Sequence, residues 1–270
     1  MSSISDLCVV ILCGGFGTRL REETEFKPKP MVEIGGRPIL WHIMKLYGNY
    51  GARHFALCLG YKGDVIRDYF LNYRLYNSDF AIDLASGDVE TMKRECRDDW
   101  RVILAETGRD TLTGSRIKRA LRHVNGDTFL ATYGDGVSDV DLDRLLAFHR
   151  RSGKLATVTA VRPSSRFGEL AIEGGLVKRF REKPQVTEGW INGGFFVFHR
   201  RVFDRIKPTD NVTLEEAVLE SLAAEGQLAV YQHHGFWQSM DTYREMELLN
   251  AMWSGGRAPW HTWKENRLSA

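Results

Sequence analysis

The chain is poor in cysteine, has no long apolar run and carries almost no net charge. Its four cysteines, Cys8, Cys13, Cys58 and Cys96, form no C-x-x-C pair and show no zinc-site spacing. Cys8, Cys13 and Cys58 lie in or beside apolar runs, as buried thiols of a reducing compartment do, so a cytoplasmic location is expected. No apolar run approaches the roughly 20 residues of a membrane span. Met1 to Asp6 contains no basic leader, so neither a signal peptide nor a membrane partner is expected. With 37 Lys+Arg against 35 Asp+Glu the formal charge is +2, too balanced for a nucleic-acid coat. A phosphate-bearing partner must therefore be met by local groups. The histidines form no metal cluster, and the adjacent His233 and His234 would point to opposite faces of a strand. Internal repeats and low-complexity linkers are absent, so residues 1–270 read as a single domain.

What the chain does have is apolar runs alternating with helical patterns. The strand candidates are 7–12, 54–59, 80–84, 101–105, 128–133, 155–161, 191–198 and 228–231. The helix candidates are 38–47, 65–73, 116–124, 142–151, 214–224 and 243–253. Thr213 and Glu216 have the spacing of a capping box ahead of Ala217, Val218 and Leu219. Residues 170–173 and 176–181, joined by Gly174-Gly175, read as an inserted β-hairpin. The pattern predicts an α/β fold: a Rossmann-like mixed, mostly parallel sheet with helices on both faces and a small inserted β-hairpin.

The richest stretch is Gly14-Gly15-Phe16-Gly17-Thr18-Arg19-Leu20, directly after the apolar run 7–12 and followed by Lys27-Pro28-Lys29-Pro30-Met31. Glycines let a backbone pass close to a ligand and aim its N–H groups at phosphate oxygens. Arg19 and Lys29 can neutralise a polyphosphate. The mononucleotide P-loop is excluded, because Thr18-Arg19 stands where Gly-Lys is required. The dinucleotide fingerprint fails because Leu20 occupies the place of its third glycine. The segment reads as a cradle for a nucleoside triphosphate.

Other segments read two ways. Tyr133-Gly134-Asp135-Gly136 ends an apolar strand, where parallel sheets bind ligands. Asp135 there is either a turn residue or a ligand for a hydrated Mg²⁺. Asp241 or Thr242 is placed to cap the helix that follows. Glu182-Lys183 and Asn192-Gly193-Gly194 could meet a sugar phosphate, with Lys183 on the phosphate and Glu182 and Asn192 on hydroxyls, or could be ordinary surface groups. Thr113 or Ser115 could cap the helix that begins there. Trp253, Trp260 and Trp263 fit either a subunit interface or a tail folded onto its own domain.

Taken together, the glycine stretch, Pro28-Lys29-Pro30, Tyr133-Gly134-Asp135-Gly136, Glu182-Lys183-Pro184, 191–196, 237–242 and Ala258-Pro259-Trp260 resemble the sugar-phosphate nucleotidyltransferases. The match covers nearly the whole chain. Arg21-Glu22-Glu23-Thr24 is similar to the cytidylyl-transferring branch of that family. The resemblance implies transfer of a cytidylyl group from CTP to glucose 1-phosphate, with Mg²⁺ as cofactor and a homo-oligomeric assembly. A thymidylyl- or uridylyl-transferring enzyme, or a non-catalytic nucleotide-sugar binder, are the competing readings. The resemblance also implies site roles. Arg19 and Lys29 are catalytic cations, and Asp135 and Asp241 are ligands to one Mg²⁺. Leu12, Gly14, Gly15, Phe16, Gly17, Thr18, Thr111, Arg116, Gly134, Glu182, Lys183, Asn192 and Gly194 bind substrate. Two positions depart from the family pattern: Cys13 replaces an alanine, and Ser115 replaces a glycine.

Overall fold

The computed structural model describes the backbone of residues 3–17, 20–94, 98–163, 169–173, 176–181 and 189–263. Eight strands form the main sheet: β1 (Cys8–Leu12), β2 (His54–Leu59), β3 (Arg101–Glu106), β4 (Thr128–Tyr133), β5 (Ala156–Val161), β6 (Ile191–Asn192), β7 (Phe196–His199) and β8 (Leu228–Gln232). Their order is β6-β5-β7-β4-β1-β2-β3, with β8 also paired to β5. β1 runs parallel to β2 and β4, β2 to β3, and β5 to β8. β7 runs antiparallel to both β4 and β5, and β6 antiparallel to β5. Six of the eight strands therefore share one direction. The expected mixed, mostly parallel sheet is present.

The central strand shows why these residues form it. Every residue of β1 is buried, as a strand covered on both faces requires. Its side chains alternate between two cores. Val9 and Ile11 pack with helices α1 (Ile39–Asn49), α2 (Gly63–Leu71), α4 (Leu142–Ser152) and α5 (Tyr243–Ser254). Cys8, Val10 and Leu12 pack with α3 (Thr113–Ala120) and residues 200–222 on the other face.

Three expectations need correction, and one open alternative is decided. The run 191–198 is two strands, because Gly194 and Phe195 take positive φ of 77° and 45° and break the ladder. The strand read at 80–84 is Ser78–Ile82, and it pairs with Val89–Arg94 in a separate hairpin instead of joining the main sheet. Residues 214–224 are a π-helical stretch, Glu215–Glu220, followed by an α-helical turn, although Thr213 and Glu216 do bond reciprocally. Of the two readings of the tail tryptophans, the structure shows the tail folded onto its own domain. Trp260 is fully buried and Trp263 nearly so, both within this chain's own core around His42. Trp260 donates its indole N–H to His42 Nδ1 at 3.3 Å. The tail folds onto its own chain, so these two side chains are not available to a partner.

The inserted hairpin Glu169–Glu173 with Leu176–Arg181 is present as expected. Among the described residues, no helix is long and apolar enough to cross a membrane. Cys8, Cys13 and Cys58 are buried thiols, and Cys96 lies outside the described residues.

Candidate active site

β1 to β4 run in one direction, so the loops after Leu12, Leu59, Glu106 and Tyr133 gather at one edge of the sheet. Open parallel sheets bind ligands in such a crevice. Gly134 N–H donates to Leu12 O at 3.0 Å, which fastens the loop bearing Asp135 to the start of the glycine loop.

Asp241 reaches the same place through a long-range pairing. Gly136–Ser138 and Trp237–Ser239 form an antiparallel ribbon with Ser239 opposite Gly136. Met240 N–H then donates to Asp135 O at 2.8 Å. The helix cap beyond it is Thr242, which receives Glu245 N–H while the Glu245 carboxylate returns to the N–H groups of Thr242 and Asp241. Capping thus falls to Thr242, and the Asp241 carboxylate turns to Lys29. Lys29 Nζ lies 2.7 Å from Asp135 Oδ2 and 2.6 Å from Asp241 Oδ1. Burial opposes the charge on this ammonium, but the two carboxylates outweigh it and hold its pKa above the ordinary lysine value.

The glycine loop is organised from below. Arg116 is buried, with 3% of its surface exposed. Its Nη1 donates to Leu59 O, Thr107 Oγ1 and Gly108 O, and its Nη2 to Gly14 O and Arg109 O. One guanidinium therefore ties together the loops after β1, β2 and β3. A Cβ on Gly14 would lie 2.4 Å from this guanidinium, and one on Gly60 2.3 Å from it. These two glycines are required by the arginine sandwiched between them. Gly15, in contrast, faces open space, and Phe16 is exposed and tilted against Tyr61. The loop closes at Gly17, whose carbonyl receives the Thr24 hydroxyl.

The expected site residues thus separate into two groups. Gly15, Phe16, Lys29 and Asp135 stand at the crevice. Arg116 sits beneath the loop as its anchor, and the buried Thr111 hydroxyl receives Arg119. The departures Cys13 and Ser115 also turn inward. Cys13 is 1% exposed within the core, and Ser115 stitches α3 to Asp210 O and Val212 N–H. Thr18, Arg19, Glu182 and Lys183 lie outside the described residues.

At the other end of the crevice Asn192 is exposed, its Nδ2 donating to Tyr133 Oη at 3.0 Å and its Oδ1 receiving Gly194 N–H at 2.9 Å. The sequence reading assigns no role to Gly60, Thr107 or Glu215, and names Tyr133 only as part of the motif that bears Asp135. Gly60 carried a signal, since it directly ends the apolar run 54–59. Glu215 carried none.

The sequence profile described as Nucleotidyl transferase matches residues 8–251, and the chain belongs to that family of enzymes. Relatives narrow the likeness. The chain is 49% identical over 256 residues to glucose-1-phosphate cytidylyltransferase of Salmonella typhi, covering 94% of this chain and 99% of that one. It is 31% identical over 252 residues to the mannose-1-phosphate guanylyltransferase catalytic subunit beta of Xenopus tropicalis, covering 90% of this chain and 63% of that one. The crystal structure of HddC from Yersinia pseudotuberculosis superposes with a TM-score of 0.64 at 22% identity, over 92% of this chain and 99% of that one. At that identity the superposition speaks for the fold.

Proposed function

We propose that this chain transfers the cytidylyl group of CTP to α-D-glucose 1-phosphate, giving CDP-glucose and pyrophosphate. The observation that carries the reading is the near-full-length likeness to the Salmonella cytidylyltransferase, much higher than to the guanylyl-transferring relative. We read the whole chain as one domain doing this work. In support, strands from its two ends, β1 and β8, lie in one sheet.

The chemistry explains the residues. A phosphate oxygen of glucose 1-phosphate attacks the α-phosphorus of CTP while the bond to the β-phosphate oxygen breaks. The nucleophile is already anionic at neutral pH, so no general base is needed. The obstacle is repulsion between two polyanions and the charge growing on pyrophosphate, and the remedy is positioning plus fixed cations. Arg19 and Lys29 serve the triphosphate in this reading, and Lys183 the sugar phosphate. Arg116 and Gly14 hold the loop whose backbone meets the phosphates, and Asn192 meets sugar hydroxyls.

Asp135 and Asp241 fit a hard divalent cation. They offer only oxygen donors, and both already converge on one positive group, the Lys29 ammonium. Mg²⁺ held there would neutralise phosphate charge and orient the reacting groups. Lys29, kept protonated by its carboxylate neighbours, remains a donor beside them.

Pyrophosphate release with glucose 1-phosphate, measured for each nucleotide, tests the reading. CTP should give by far the highest kcat/KM. A higher value with dTTP, UTP, ATP or GTP would refute the base assignment. Asp135→Asn and Asp241→Asn should each abolish most activity and weaken Mg²⁺ binding in calorimetry. Unchanged Mg²⁺ affinity in both variants would remove the metal assignment.

A further inference from the structure

Glu215 has no part in the chemistry above, yet it stands at the junction of the two ends of the crevice. Its Oε1 accepts the Tyr133 hydroxyl, and its Oε2 accepts the Thr113 hydroxyl at 3.0 Å. Thr113 begins α3, the helix that carries Arg116, and its Oγ1 also receives Leu214 N–H at 2.8 Å. Tyr133 is the last residue of β4, two before Asp135. Glu215 itself opens the π-helical stretch, an irregularity that recurs at functional sites.

The direction of this chain of bonds is forced. A phenol has a single proton, and Tyr133 gives it to the Glu215 carboxylate. The phenol has no second proton to give. Its oxygen is left as an acceptor, and Asn192 Nδ2 fills that place. The Asn192 oxygen is claimed by Gly194 N–H. The amide can therefore face only one way. Among the described residues, one N–H and one oxygen lone pair remain for a ligand, in a fixed order, at the end of a chain that terminates in a negative charge. A site that presents a donor and an acceptor in fixed order discriminates among hydroxyl arrangements far better than a rotating amide.

We propose that Tyr133 and Glu215 are positioning residues for the sugar phosphate: they fix the face of Asn192 presented to the sugar hydroxyls and, through Thr113, tie that face to the nucleotide side. The inference rests on the reading of Asn192 as a sugar contact.

Steady-state constants for both substrates test it in four variants: Tyr133→Phe, Glu215→Gln, Asn192→Ala and the Tyr133→Phe/Asn192→Ala double. Tyr133→Phe should raise the KM for glucose 1-phosphate about tenfold and leave that for CTP within about twofold, the size of one hydrogen bond with a charged terminus. The double variant should be no worse than Asn192→Ala alone, because the phenol acts through the amide. Glu215→Gln keeps the shape, and it should show the same KM bias and carries the test if Tyr133→Phe does not fold. Additive losses in the double variant, or equal losses for both substrates, would overturn the proposal. If Asn192→Ala raises the glucose 1-phosphate KM but Tyr133→Phe and Glu215→Gln do not, the positioning role fails alone. If Asn192→Ala has no effect, the sugar contact itself is wrong and the inference goes with it.

Discussion

Arg116 shows how one buried residue can organise a site it need not touch. Its guanidinium donates to carbonyls in the loops after three neighbouring strands, and Gly14 and Gly60 leave it the space. Buried carbonyls that lose their donor cost roughly 1–3 kcal/mol each. Arg116→Met should therefore lower stability by several kcal/mol, on the order of other broken buried networks. Gly14→Ala forces a methyl group against the same guanidinium and should both destabilise the fold and weaken CTP. Gly15→Ala, one residue on, meets open space and should leave thermal stability unchanged. Chemical denaturation of the three variants, with calorimetric CTP titration, checks this. A Gly14→Ala protein as stable as the parent would show that the loop is not held from below.

At the scale of elements, the tail is anchored in the core through Trp260 and Trp263. Trp260 is stacked on Phe236 and Trp253 and bonded to His42. Trp260→Ala should cost about 3–5 kcal/mol, the range for a fully buried large aromatic. The oligomeric state measured by sedimentation should not change. A variant of normal stability but altered association would return the tail to the role of an interface. Elements were unevenly legible in the sequence. β1, β2 and β4 are continuous apolar runs, and burial on both faces explains why they could be read. The hairpin Ser78–Ile82 with Val89–Arg94 was half seen, because its exposed residues carry no alternation that tells strand from loop. The break at Gly194 and Phe195 was missed because Phe195 remains buried and looks like strand.

For the whole molecule, two buried histidines set the response to acid. His42 is wedged between the Trp260 N–H, which it accepts, and Ile34 O, to which its other nitrogen donates. His149 lies against the Thr157 hydroxyl. Burial pulls each from an ordinary pKa of 6.5 to about 4. Above pH 6.5 both folded and unfolded chains hold these rings neutral, and their contribution is complete. As pH falls from 6.5 towards 4 the unfolded chain takes protons that the folded chain refuses, so stability drops. Urea unfolding midpoints should decline through that window, and His149→Gln should flatten the decline. A profile of His149→Gln parallel to the parent's would exclude His149 as a source.

The sequence by itself determined the alternation of strands and helices, the family and the residue types of the crevice, because apolar runs and short glycine motifs are local. Tertiary structure alone decided which of those residues meet. Lys29, Asp135 and Asp241 converge only because Gly136–Ser138 pairs with Trp237–Ser239 across about a hundred positions of chain, a register no local pattern encodes. The same holds for Arg116. Its place near the glycine loop was readable, but that it lies beneath the loop, filling the space two glycines leave, depends on three strands being set side by side.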